Sequence, residues 1–335
     1  MGANVLDDLV ISVRKTWDDV GLYPTPLTIS ITIVAILLPP IFLFLFALTQ
    51  RETPPAPPAG CRKIGLQGLS NLSDQYAKKY ATGSDPSSSN PWTVKALFIY
   101  PVKSCAPIEL DNADVIRTGL RYDRQFTFAQ QVTSLPDLEG KVDSEWVFST
   151  QRTFPRLAKV ETELWIPDPS SPSYDPESEW VKGEGCLLVR FPFTPDSDFT
   201  LPGLKIYGKM LAARFSGRPE PMMEFRVPFN PPKQRMEEMR YSKEKIKIWK
   251  DNPTALNVGT EVPYEKMAQL KYTLGVTNPF TLFRIDTERY REVRMCAPKK
   301  EDVGFQTIIG MQDSVCIVPQ TLPTLVHIDK KRVAK

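Results

Sequence analysis

Three short stretches gather cations and hydroxyls in a pattern that could grip an anion. They are Tyr100-Pro-Val-Lys-Ser-Cys105, Gly119-Leu-Arg-Tyr-Asp-Arg124 and Ser149-Thr-Gln-Arg-Thr-Phe-Pro-Arg156. Each follows an expected strand, at the position where barrel folds hold ligands against loops. Lys103, Arg124 and Arg152 offer positive charge and Ser104 a hydroxyl donor, a set suited to a phosphate. The plainer reading of the same residues is solvated surface charge. Asp123 could act as a general base, but beside Arg124 it reads first as the partner of that arginine. No catalytic residue and no metal ligand is nominated from spacing alone.

Other chemistry is thinly supplied. His327 is the single histidine of 335 residues, which leaves no room for a His-based triad or a histidine metal cluster. The five cysteines, 61, 105, 186, 296 and 316, contain no CxxC pair, so zinc-ribbon and thioredoxin motifs are excluded. An odd, scattered set suits reduced thiols. A net charge of +3 gives no electrostatic case for nucleic acid. The basic stretch Lys243–Lys250 alternates with apolar residues and reads as a strand with one wet face. Lys330-Lys-Arg332 is a short basic terminus, and His327 reads as exposed tail.

The elements that must position these residues are mostly short strands. Candidates are Thr93–Tyr100, Ala113–Arg117, Gln125–Gln131, Trp146–Ser149, Ala158–Ile166, Cys186–Phe191, Leu201–Tyr207, Leu211–Phe215, Lys245–Trp249 and Thr281–Ile285. Gly and Pro punctuate them, as in a barrel or sandwich. Val262–Leu274 is helical: Pro263 suits the first turn, Met267, Leu270 and Leu274 form a stripe, and Gly275 can supply a left-handed cap.

No charged residue occurs from Leu27 to Leu48. At 1.5 Å per residue this stretch spans roughly 33 Å, enough for the ~30 Å hydrocarbon core of a bilayer. It reads as a single-pass anchor, kinked at Pro39-Pro40. Arg14 and Lys15 precede it and Arg51, Arg62 and Lys63 follow, a bias toward a cytosolic C-terminal bulk. The proline-rich Thr53–Gly60 reads as the start of an extended spacer.

The YPVKSC of Val94–Cys105, GLRYDRQF (119–126) and TQR-x-x-PRL (150–157) together resemble the N-terminal β-barrel domain of MOSC proteins. The mitochondrial amidoxime-reducing components are the best-known members. Ile248-Trp-Lys-Asp, Leu274-Gly-Val, Leu282-Phe-Arg-Ile-Asp and Cys296-Ala-Pro-Lys-Lys are similar to fungal-type members. The resemblance spans about 92–313 and implies a molybdenum cofactor, a metal dithiolene carried by a phosphate-bearing pterin. It implies contacts from Lys103, Ser104 and Arg124, and less firmly Arg152. It further implies reduction of N-hydroxylated substrates, electrons from cytochrome b5 and its reductase, and an outer mitochondrial membrane location. Pyridoxal phosphate on Lys103 is a weaker alternative.

The expected fold is mainly β, of α+β type. Residues 1–26 form a polar N-terminal segment, 27–48 a transmembrane helix and 49–91 a flexible Pro-rich tether. The MOSC β-barrel domain follows over 92–230, then a partial mixed α/β MOSC region (231–313) and a divergent tail (314–335). The family's ligand cysteine has no match: Cys296 belongs to another motif and Cys316 lies in the tail, so the second domain reads as truncated. Two functions compete: a membrane-anchored molybdenum oxidoreductase, and a non-catalytic tethered β domain that binds a partner protein or a phosphate-bearing ligand.

Overall fold

In the computed structural model the described residues are 12, 15, 25–50, 56–77, 94–116, 119–136, 138–196 and 200–286, with the backbone of 291–292, 309–310 and 326–329. Two compact units result: residues 1–54 with 194–221, and residues 55–193 with 222–335.

In the first unit the apolar run forms helix α1 (Pro26–Thr49). Thr25 and Thr28 cap it reciprocally, the Thr25 hydroxyl accepting from Thr28 N–H and the Thr28 hydroxyl from Thr25 N–H. It runs without interruption through Pro39 and Pro40, and is the one helix among the described residues long and apolar enough to cross a membrane.

The second unit is sheet-rich. Its strands are β1 (Cys61–Ile64), β2 (Leu97–Ile99), β3 (Ile108–Leu110), β4 (Asn112–Ile116), β5 (Gly119–Leu120), β6 (Phe126–Thr133), β7 (Ser144–Phe148) and β8 (Glu161–Pro167). Helix α2 (Glu179–Lys182) and β9 (Cys186–Pro192) follow. Helix α3 (Leu201–Phe215) belongs to the first unit, after which the chain returns with β10 (Met222–Pro228), α4 (Lys233–Glu238), β11 (Ser242–Lys247) and β12 (Thr254–Asn257). Helix α5 (Tyr264–Leu274) and β13 (Phe280–Ile285) precede the short strands β14 (Arg291–Glu292), β15 (Ile309–Gly310) and β16 (Val326–Asp329).

Strands β11-β12-β13-β6-β7 close into a five-stranded barrel, sealed by the parallel pair β11–β7. Strands β1-β8-β9-β10 form an antiparallel sheet. Successive residues of the barrel strands alternate between two cores, the period of two that a pleated strand imposes. Ala129, Phe148, Ile246, Ile248, Ala255 and Phe283 form a cluster drawn from the barrel strands and their immediate ends, and so fill the lumen. Their neighbours Phe126, Phe128, Leu256 and Leu282 face outward into a larger core shared with Leu164, Leu187, Val189 and Phe225 of the four-stranded sheet and with Leu270 and Leu274 of α5. Strand β13 is buried along its whole length because both its faces are covered.

Several expectations need correction. Leu201–Tyr207 and Leu211–Phe215 are not strands but the two halves of α3. Thr200 caps that helix by accepting from Gly203 N–H, and Pro202 sits in the first turn, where its missing donor costs nothing. The tether expected over 49–91 is partly structured: β1 covers the edge of β8, Leu66 N–H donates to Glu109 O at 2.8 Å, and Lys95 pairs with Asp74 at 2.6 Å. An open sheet edge requires such a cover. The barrel also crosses the boundary expected at 230/231, taking β6 and β7 from one side and β11, β12 and β13 from the other. His327, read as tail, lies in β16, whose backbone pairs with β4 opposite Asp114. The helix expected over Val262–Leu274 is present as α5, with Pro263 at its N-cap and Gly275 at φ 74° ending it in the left-handed region.

Two outcomes follow for stability. Phe128 is fully buried and stacks on Phe280 at 5.3 Å, so Phe128→Ala should cost about 3–5 kcal/mol in chemical denaturation. Burial acts to raise the Glu163 pKa, but the hydrogen bond from Lys63 and the charges of Arg190 and Lys63 outweigh it and hold the carboxyl below its ordinary range. A depressed folded pKa stabilises above the unfolded value of about 4.3 and stops doing so as pH falls through the folded value. Acid unfolding curves should therefore show a Glu163→Gln chain weaker by about 1 kcal/mol at neutral pH, with the difference shrinking below pH ~4.

Candidate functional site

The three motif stretches meet at one end of the barrel. Because β7 and β11 run parallel, the residues following each emerge at the same end, where antiparallel β6 begins. The Tyr100–Cys105 segment is zipped along the start of β6. Arg124 N–H donates to Tyr100 O at 2.7 Å, Phe126 N–H to Pro101 O at 3.0 Å, and Lys103 N–H to Phe126 O at 2.8 Å. Val102 and Phe126 form a parallel bridge. The Asp123 carboxylate ties the two together, accepting from Tyr100 N–H through Oδ1 and from the Arg124 guanidinium through Oδ2, both at 2.8 Å. Asp123 thus holds the loop together, as its position beside Arg124 suggested.

The loop after β7 joins from the other side. Ser149 N–H donates to Phe128 O, and Gln151 Nε2 donates to Ser104 O at 2.9 Å. The motif's last residues are structural: Leu157 is fully buried, and Arg156 donates to Thr273 O at 2.9 Å, capping the C-terminal end of α5 with a cation.

Lys103 is 7% exposed, and its ammonium lies 5.0 Å from the centroid of the Phe148 ring that closes the lumen. Phe148 meets Trp249 edge to face at 5.3 Å, and the Arg152 guanidinium lies 5.9 Å from the Trp249 ring. Beside Phe148, the Ser149 hydroxyl is buried and has no hydrogen-bond partner among the described residues. Such an orphaned donor calls for an explanation. Left-handed backbone concentrates here as well. Six non-glycine described residues have positive φ, and four belong to these loops: Ser104 (65°), Tyr122 (71°), Arg124 (48°) and Trp249 (56°). Strain of this kind persists where surrounding structure enforces it, commonly at ligand sites.

The structure therefore links Lys103 to Phe148, Phe148 to Trp249 and Trp249 to Arg152, while Gln151 of the same loop holds the Ser104 carbonyl. Arg124 is anchored in the adjoining loop, its guanidinium paired with Asp123 and 5.5 Å from the Tyr100 ring. Two contributors were missed. Ser149 entered only as the first residue of a motif, and its burial depends on the barrel. Trp249 was absorbed into a basic strand, although it stands just past the end of β11, where its backbone turns left-handed.

Part of this constellation lies in a segment similar to a known family. Residues 92–173 match the family model of the MOSC N-terminal beta barrel domain. The MOSC-like segment contributes β6 and β7 to the barrel and β8 to the neighbouring sheet, and carries all three motif stretches; β11–β13 lie beyond it. No curated protein matches the chain.

Burial disfavours the thiolate form of each described cysteine. Cys105 is fully buried and its thiol is pushed far up by desolvation; burial pushes Cys186 up to about 12 and raises Cys61. Cys296 and Cys316 lie outside the described residues. Among the described residues no group of His, Cys, Asp and Glu is arranged to hold a metal ion.

Removing the Asp123 carboxylate takes an acceptor from Tyr100 N–H and an ion-pair partner from Arg124. Asp123→Ala should lower stability by about 2 kcal/mol in denaturant melts. It should also raise amide exchange across 100–105 more than in β9, as mass spectrometry can resolve.

Proposed function

We propose that the chain is a membrane-anchored oxidoreductase of MOSC type. On this reading the loop cluster at the barrel end holds the phosphate-bearing end of an anionic pterin molybdenum cofactor. The observation that carries the reading is the buried, orphaned Ser149 hydroxyl, next in the chain to the Phe148 whose ring meets the Lys103 ammonium, with a left-handed Ser104, all within a MOSC-like segment. Lys103 supplies a desolvated cation, Ser149 and Ser104 supply hydroxyl donors, and Arg152 guards the mouth on the Trp249 ring. A buried ammonium and preset donors bind an oxyanion without reorganisation. Arg124, fixed by Asp123, keeps the neighbouring loop in register and adds positive potential.

The cofactor would supply a metal centre able to pass electrons to a bound N-hydroxylated substrate. Cytochrome b5 and its reductase are the electron donors that the family resemblance suggests. Helix α1 supplies the anchor: its length and apolar surface fit a bilayer.

A second reading has its own support. Among the described residues no thiol stands in a group of side chains arranged to hold a metal ion, whereas a molybdenum centre of this type takes a thiolate ligand. The same cluster would then bind a phosphate-bearing ligand without redox chemistry.

Purification of the full chain after co-expression with cofactor biosynthesis separates the two. Under the first reading molybdenum and pterin fluorescence co-purify, and Lys103→Ala retains about tenfold less of both at an unchanged melting temperature. Retention unaffected by Lys103→Ala would contradict the site. Pterin and metal both absent from the wild-type chain would favour the non-redox reading.

A further inference from the structure

Helix α3 interrupts the four-stranded sheet, leaving after β9 and returning at β10, yet it packs on α1. The contact is close. A Cβ on Gly208 would lie 2.6 Å from the Phe46 ring and 2.8 Å from the Gln50 side chain, so only glycine permits this approach. One turn on, Ala212 is buried on the same face, and Ala47 is the buried residue of α1. Small residues at a four-residue spacing are how helices approach each other in lipid. Phe44 meets Phe215 edge to face at 5.3 Å. Residues 44–50 of α1 thus run against 215–208 of α3, so the two helices are antiparallel over the last turns of α1.

Other apolar side chains of α3 reach the surface. Leu204, Tyr207 and Phe215 are exposed and lie, with Leu211, along one stripe. Within 201–215 there are three cations, Lys205, Lys209 and Arg214, and no acidic residue. The 24 residues of α1 extend about 36 Å, longer than the ~30 Å hydrocarbon core, which sets the last turns of α1 at the membrane–water boundary. Whatever packs beside them meets acyl chains on one face and headgroups on the other.

We infer that α3 is a second membrane contact, running antiparallel to α1 through the headgroup–acyl boundary, with Leu204, Tyr207, Leu211 and Phe215 turned to the lipid and Lys205 and Lys209, toward its outer end, near anionic headgroups. This rests on the reading of α1 as a membrane anchor and adds to it. Cationic helices with an exposed apolar stripe bind this layer, the charges adding attraction to anionic lipid. The structural consequence is specific: the segment linking β9 to β10 is pinned at the bilayer, independently of the chain between α1 and β1.

The test uses the full chain reconstituted into phosphatidylcholine vesicles with and without phosphatidylserine. An environment-sensitive fluorophore is attached to Leu204→Cys, Phe215→Cys or, as a control in the second unit, Leu135→Cys, with the unsubstituted chain as the labelling blank. Nitroxide-bearing lipids should remove most of the emission at 204 and 215 and leave that at 135 intact. Lys205→Glu with Lys209→Glu should weaken the quenching at 204 in phosphatidylserine vesicles while leaving it unchanged in neutral ones. A chain that resists alkaline carbonate extraction but shows no more quenching at 204 and 215 than at 135 would overturn the inference while sparing the anchor. Release by carbonate would overturn the anchor reading, and this one with it.

Discussion

Everything proposed for the barrel end depends on one carboxylate. Asp123 accepts the Tyr100 amide and the Arg124 guanidinium at once, and so fixes one loop against the other. The parallel run of hydrogen bonds from Tyr100 to Lys103 then sets Lys103 at the point where Phe148 closes the lumen. The Lys103 ammonium then lies 5.0 Å from the Phe148 ring, and the next residue, Ser149, buries a hydroxyl with no partner among the described residues. That orphaned hydroxyl is the physical argument for a bound ligand.

The barrel accounts for the remaining geometry. A five-stranded closure leaves a narrow lumen, filled here by Ala129, Ala255, Ile246 and Phe283 and stoppered by Phe148. Chemistry therefore has no place inside it and collects at the rim. The parallel β7–β11 pair makes the residues after both strands emerge together, bringing Ser149 and Arg152 beside Trp249. Arg156 ties the same loop to α5, so the rim is braced from below by the larger core.

The three motif stretches of the candidate site were legible in the sequence, because local chemistry carries its own signal. Lys103, Ser104 and Asp123 with Arg124 were readable from composition at strand ends, and α5 from its stripe, proline and glycine. The unread parts depend on contacts distant in sequence. Ser149 looks like any exposed serine until Phe148 and β6 bury it. The division at 230 looked natural because the chain's texture changes there, but hydrogen bonding between β13 and β6 joins the two sides. Helix α3 was mistaken for two strands because a short apolar run has no decisive period; what makes it a helix is its cap at Thr200 and its packing on α1.

The central claim is that the barrel-end loops hold the phosphate of an anionic cofactor. An experimental structure of the full chain purified with whatever it retains is the most direct measurement. The account predicts density for a phosphate group within hydrogen-bond distance of the Lys103 ammonium and the Ser149 hydroxyl, with Ser104 at its edge. A retained pterin bound elsewhere, with the Ser149 hydroxyl satisfied by the protein's own groups, would contradict it.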